Sequence, residues 1–157
     1  MKRPTATNSV PFRLETFYAG VLHGWGHMVD HRRGGERAMT ATLRGDWDGA
    51  VLTLDQTWEP DGAPAERRIW RIRPTADGYT GTAPSVVGAA TARWDGDTLR
   101  WSYQADITVA ARTWRLTCEE ELALQTDNVA VSQLRISKFG LLIAEVRLIV
   151  SRAKPAA

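Results

Sequence analysis

The stretch LRWSYQADI, residues 99–107, decides how this chain reads. Leu99, Trp101, Tyr103, Ala105 and Ile107 alternate with Arg100, Ser102, Gln104 and Asp106. Successive side chains of a strand point to opposite faces. A period of two therefore turns an aromatic, apolar face to a core and a polar face to water. The next segment repeats the pattern, with Trp114, Leu116, Cys118 and Leu122 set against Thr113, Arg115, Thr117, Glu119 and Glu121. Near the end, Leu142, Ala144, Val146, Leu148 and Val150 share one face.

Turn signals separate these segments. Gly34-Gly35, Asp48-Gly49, Asp61-Gly62, Asp77-Gly78, Asp95-Gly96, Asp127-Asn128 and Phe139-Gly140 recur along the chain. Asp-Gly and Gly-Gly supply the positive φ angles of tight hairpins. The spacing predicts nine or ten strands, at 14–30, 36–46, 50–58, 66–74, 78–83, 86–94, 98–108, 112–124, 129–138 and 141–152. PFRLETFYAG, 11–20, has room for one short helical turn. Consecutive hairpins make an antiparallel meander, and closure removes the exposed edges of so wide a sheet. The expected fold is all-β: a single closed up-and-down β-barrel, lipocalin- or fatty-acid-binding-like, with little helix. A two-sheet sandwich is the alternative. A barrel of this size encloses space for one small ligand. The barrel domain is expected over 11–152, with a disordered arm at 1–10 and a loose tail at 153–157.

Composition agrees with one globular domain. Of 157 residues, 43% are hydrophobic and 24% charged, which is globular rather than disordered. The net charge of +2 is not gathered into a basic stripe, so no nucleic-acid partner is expected. A single cysteine, Cys118, excludes an intramolecular disulfide and cysteine-based zinc sites. No run approaches the ~20 apolar residues of a membrane-spanning helix. The expected location is cytoplasmic, or envelope-associated if a leader has been removed. The residues favour neither monomer nor dimer.

All three histidines lie in HGWGHMVDH, 23–31. A helix would align His23, His27 and His31, but Gly24 and Gly26 interrupt it at about 1 kcal/mol each. In a strand the three still share a face with Trp25 and Val29, at ~13 Å per step. One ion cannot span that, so the strand alone makes no three-histidine site, and at most one of these histidines would join ligands from other strands. No metal or other cofactor is expected. The opposite face carries Leu22, Gly24 and Gly26, which suggests a bent strand or close approach of a backbone or ligand. His27, in mid-strand, is either a hydrogen-bonded barrel residue or a ligand contact and acid/base group.

The order of motifs resembles the bacterial family catalogued as domain of unknown function 3833. Its matching pieces are Gly24-Trp25-Gly26, GDWDGAVLTLDQTW at 45–58, RRIWRI at 67–72, GYTGTAPSVVG at 78–88, LRWSYQADI at 99–107 and SKFGLLIAEVRL at 137–148. The chain differs in carrying Pro84-Ser85 before the VVG, and Glu119-Glu120-Glu121 where the family tends to have Asp-Asp-Trp. The resemblance implies a lipocalin-like barrel, a bacterial source and a link to lipid or fatty-acid metabolism. It supplies no catalytic residues.

The candidate ligand-binding residues are Trp25, His27, Trp70, Trp101, Tyr103, Trp114, Glu120 and Arg135. The indoles and Tyr103 are core in any barrel, and in a hollow one the core is also the pocket wall. Glu120 continues the apolar face of Trp114, Leu116 and Cys118, where desolvation would raise its pKa. Arg135, on the face of Val129, Val131 and Gln133, would clamp a carboxylate if that face points inward. The expected function is binding of a small hydrophobic or amphipathic molecule, fatty acyl or isoprenoid-like. The alternative is a cofactor-free isomerase, dehydratase or cyclase using His27, Tyr103 or Glu120. A haem binder and a purely structural protein are weaker readings.

Overall fold

The computed structural model of the chain describes residues 12–109 and 111–152. The arm expected at 1–10 and the tail at 153–157 lie outside the described residues. A short helix, α1 (Leu14–Phe17), precedes ten strands: β1 (Gly20–Asp30), β2 (Glu36–Trp47), β3 (Leu52–Pro60), β4 (Glu66–Pro74), β5 (Gly78–Thr82), β6 (Ala90–Asp95), β7 (Thr98–Val109), β8 (Arg112–Thr126), β9 (Val129–Lys138) and β10 (Leu141–Ser151). Every strand pairs antiparallel with its neighbours in sequence, and β1 closes the barrel against β10.

The expected strands fall within a few residues of the observed ones, with two differences. Residues 14–17 are helical rather than the start of β1. Residues 86–89 form a loop ahead of β6, touching the sheet only where Val86 bridges Ala105.

The LRWSYQADI alternation is the inner wall of β7, with Leu99, Trp101, Tyr103 and Ala105 all buried. Trp70 packs 6.0 Å from Trp101 and 5.4 Å from Tyr103, ring centre to ring centre. Small residues beneath them make room. A Cβ on Gly81 would come within 3.3 Å of the Trp101 ring, and Ala90 is fully buried.

The two ends of the barrel differ. At one end α1 forms a plug, with Phe12, Leu14, Phe17 and Tyr18 buried in the main core. Phe12 packs edge-on to Phe17 and to Trp94, both at 5.6 Å. The Leu14 amide donates to the Tyr79 hydroxyl at 3.1 Å, and that hydroxyl donates to Glu15 at 2.8 Å. At the other end of α1, the Arg152 guanidinium donates to the carbonyls of Thr16, Phe17 and Ala19 at 2.6–2.8 Å. Thr16 and Phe17 stand in the last turn of α1, where carbonyls are short of partners, and Ala19 lies just beyond it; a cation suits them. Gly45 lets the plug lie flat on β2: a Cβ there would fall 1.8 Å from the Tyr18 carbonyl oxygen.

Near the plug the inner wall is sealed, with Leu22, Leu99 and Ala130 at 0% exposure. Toward the opposite end the inward side chains Met28, Trp58, Ile107, Leu134 and Ile136 are only half-buried. The barrel is thus closed by α1 at one end and open at the other.

Candidate functional site

Below the plug lies a cavity of about 70 Å³. At roughly 10–15 Å³ per water, it holds a few waters or a chain one atom wide. Leu54, Ile72, Leu134, Val146 and Leu148 give it an apolar wall, with Trp70 and Trp101 on one side. Leu14 and Tyr18 of the plug form its roof. Trp58 stands on the open side, and its indole donates to the Gln56 side chain at 3.2 Å.

Polar groups converge in the middle of this wall. Glu120 of β8 projects inward, as the period set by Leu116, Cys118 and Leu122 requires. Burial of its carboxyl pushes its pKa up to about 7, against a downward pull from a Ser132 hydrogen bond and the Arg68 charge. A carboxyl in this state exists both charged and neutral near neutral pH. Tyr103, paired with Cys118 across the β7–β8 ladder, is held protonated by burial first and then by the Glu120 charge. The same two causes raise the Tyr18 phenol. Burial raises the Cys118 thiol to about 11.

Arg68 reaches the cavity from β4, on the face of Trp70 and Ile72. It is half-buried, and no ion-pair partner lies within 4.0 Å of it among the described residues. Its charge is nonetheless felt by Glu120, Tyr103 and Cys118.

The structure brings together four of the eight residues expected from sequence: Trp70, Trp101, Tyr103 and Glu120 all line the cavity. Trp114 points inward but stands at the open rim, away from the cavity lining. Three expectations are corrected. Trp25 and His27 lie on the outer wall, because Leu22 and Gly24 of β1 are the buried, inward set. The His27 side chain is 58% exposed, with Nδ1 3.3 Å from Glu36. Arg135 is also outside, 60% exposed and 3.7 Å from Glu145, because Ala130, Ser132 and Leu134 face inward on β9. Of the acid/base candidates His27, Tyr103 and Glu120, only the last two line the cavity.

Sequence reasoning missed Arg68, Ser132, Gln56, Trp58 and Tyr18. Arg68 was within reach, being two residues before Trp70 on the same face. Among the described residues no three His, Cys, Asp or Glu side chains are grouped as metal ligands. No helix among them is long and apolar enough to cross a membrane.

Solved structures share this barrel at low identity. A "S-type Phycobiliprotein Lyase CPES" from Guillardia theta matches with a TM-score of 0.61 and 10% identity, over 91% of this chain and 92% of that one. Rv2717c from M. tuberculosis matches with a TM-score of 0.58 and 13% identity, over 87% and 93%. At such identities the likeness shows the lipocalin-like fold alone. No curated protein matches the chain in sequence. The family model described as "Protein of unknown function (DUF3833)" matches residues 3–152, and the chain belongs to that family.

Proposed function

We propose that the barrel binds a small amphipathic molecule with a single slender apolar chain and an acidic head. The carrying observation is Arg68: a half-buried guanidinium without an ion-pair partner among the described residues, opening on an apolar cavity. Such a group is poised for a charge-assisted bond to a carboxylate or phosphate oxygen. Neutral Glu120 and the Tyr103 hydroxyl would add donors, and the aliphatic wall would take the chain. The narrow lumen favours a fatty acyl or linear isoprenoid chain over a fused ring system. Support from the fold neighbours stops at the architecture.

The test is titration with a fluorescent single-chain fatty acid. Saturable one-to-one binding is expected, weakened about tenfold or more in Arg68→Gln, the range of a bond to a charged group. Absence of saturable binding, or an unchanged affinity in that variant, would overturn the reading.

A second reading rests on Glu120 alone. A carboxyl held at about 7 beside Tyr103 suits proton transfer, as in a cofactor-free isomerase, dehydratase or cyclase. Chemical conversion of a bound ligand that disappears in Glu120→Gln would favour it over simple carriage.

A further inference from the structure

Three loops stand side by side at the open end: β1–β2, β9–β10 and β7–β8. Each sends a cation to one ring. Arg32, Arg112 and Lys138 lie 5.7, 5.1 and 5.0 Å from the centre of Trp114. None of the three takes part in an ion pair among the described residues. Grouped cations repel one another, and the π face of one indole offsets only part of that. Asp30, bonded to the Arg32 amide, sets one negative charge against Arg32, and an anion from outside would complete the arrangement at Arg112 and Lys138.

The adjoining β9–β10 turn is apolar. Phe139 is 92% exposed, Leu141 72% and Leu142 41%. Single exposed apolar residues are ordinary, but the conformation of this one is not. Phe139 has φ +51° and Gly140 φ +78°. Two positive φ values in succession make a tight hairpin turn whose first position prefers Asn, Asp or Gly. A bulky ring strains that backbone and, being exposed, returns little to the fold beyond the Lys138 ammonium 4.7 Å from its centre. That one contact does not need so large and exposed an apolar side chain at a strained turn position.

We infer that this arc of the rim docks onto an anionic lipid bilayer. Phe139, Leu141 and Leu142 would enter the boundary between headgroups and acyl chains, while Lys138, Arg112 and Arg32 stay with the phosphates. Long cationic side chains beside apolar tips are suited to that interface. The opposite arc is of reverse charge, with Glu59, Asp61 and Glu66 exposed around the β3–β4 turn. The barrel would thus meet the surface tilted, cationic arc down and its open end toward lipid. This docking rests on the rim and does not require the cavity to be occupied.

The test is flotation of the intact protein with vesicles of phosphatidylcholine, with and without phosphatidylglycerol. Flotation is expected only with the anionic vesicles. Lys138→Gln and Arg112→Gln should each weaken it about fivefold, the attraction of one basic residue to an anionic surface. Phe139→Asn should weaken it about tenfold or more, through lost apolar burial, while the melting temperature holds or rises. Arg68→Gln should float like the wild type, whatever it does to the cavity. Failure to float with anionic vesicles, or flotation untouched by Phe139→Asn, would overturn the proposal. So would a dimer in sedimentation that Phe139→Asn dissociates without any vesicle binding, since the tip would then belong to a second copy of the chain.

Discussion

Trp101 and Glu120 are direct partners in the β7–β8 ladder, so an indole and a carboxyl hang side by side into the same cavity. The indole helps to exclude water from the acid, and water exclusion is what raises the pKa of Glu120. Two consequences of that proton can be measured.

Stability should fall as pH rises from about 4.5 to about 7 and level off above it. The folded-state value for Glu120, about 7, lies above the ordinary 4.5, so the fold binds the extra proton between the two. Its favourable contribution is complete below pH 4.5 and lost as pH climbs through about 7. Glu120→Gln keeps the neutral shape. It should flatten this slope and be more stable than the wild type at pH 8, by about 3 kcal/mol. Urea midpoints across pH would show it, and identical slopes in the two proteins would refute it.

Ligand affinity should follow the same proton. Above about pH 7 the ionised Glu120 would repel the proposed acidic head group that Arg68 would attract. Binding of the fluorescent fatty acid should therefore weaken from pH 6 to pH 8 in the wild type, and stay level in Glu120→Gln. Arg135→Gln, on the outer wall, should match the wild type at every pH.

Cys118 should be chemically silent in the folded protein. It is 2% exposed and its thiol is pushed up to about 11. At pH 8 its alkylation should run about a hundredfold or more slower than that of a free thiol, and should accelerate only as urea unfolds the chain. Rapid labelling of native protein would mean that the wall opens locally.

Gly45→Ala should loosen the plug. The added methyl would sit 1.8 Å from the Tyr18 carbonyl oxygen and 2.7 Å from its carbon, and backbone cannot swing away as a side chain can. A cost of about 2–3 kcal/mol is expected in chemical unfolding. An unchanged midpoint would show that α1 yields freely.

The ease of reading each strand from sequence followed from how its two faces differ. On β7 one face is aromatic and aliphatic and the other wholly polar, so the inside was plain. On β1 the contrast misleads. The outer face holds Trp25 and Val29, while the inner one holds Gly24 and Gly26, residues with no side chain to register as apolar. Gly26 is demanded by packing, since a Cβ there would fall 1.8 Å from the Arg147 carbonyl oxygen of β10, a partner distant in sequence. On β9 the β-branched Val131 is outside and the small Ala130 and Ser132 are buried. Its orientation is set by pairing with β8, where Leu122 faces Ser132 and Glu120 faces Leu134. Arg68 was legible from Trp70 by counting in twos, and was masked by the basic run around it, Arg67 to Arg73.

Closure by β1 and β10 also has a bearing on time. Every other ladder joins consecutive strands and can zip as a local hairpin, whereas His23 must find Ser151 across almost the whole described chain. Such distant pairing is slow, because the entropy of closing the loop is lost before any contact forms. Arg152 already lies against the carbonyls of Thr16 to Ala19, so the two ends of the barrel chain are neighbours. A circular permutant, joined there by a short linker and cut in the β3–β4 turn, would make β1–β10 a hairpin and move the distant seam to β3–β4. It should refold at a similar rate, with β3–β4 in place of β1–β10 as the late-forming ladder.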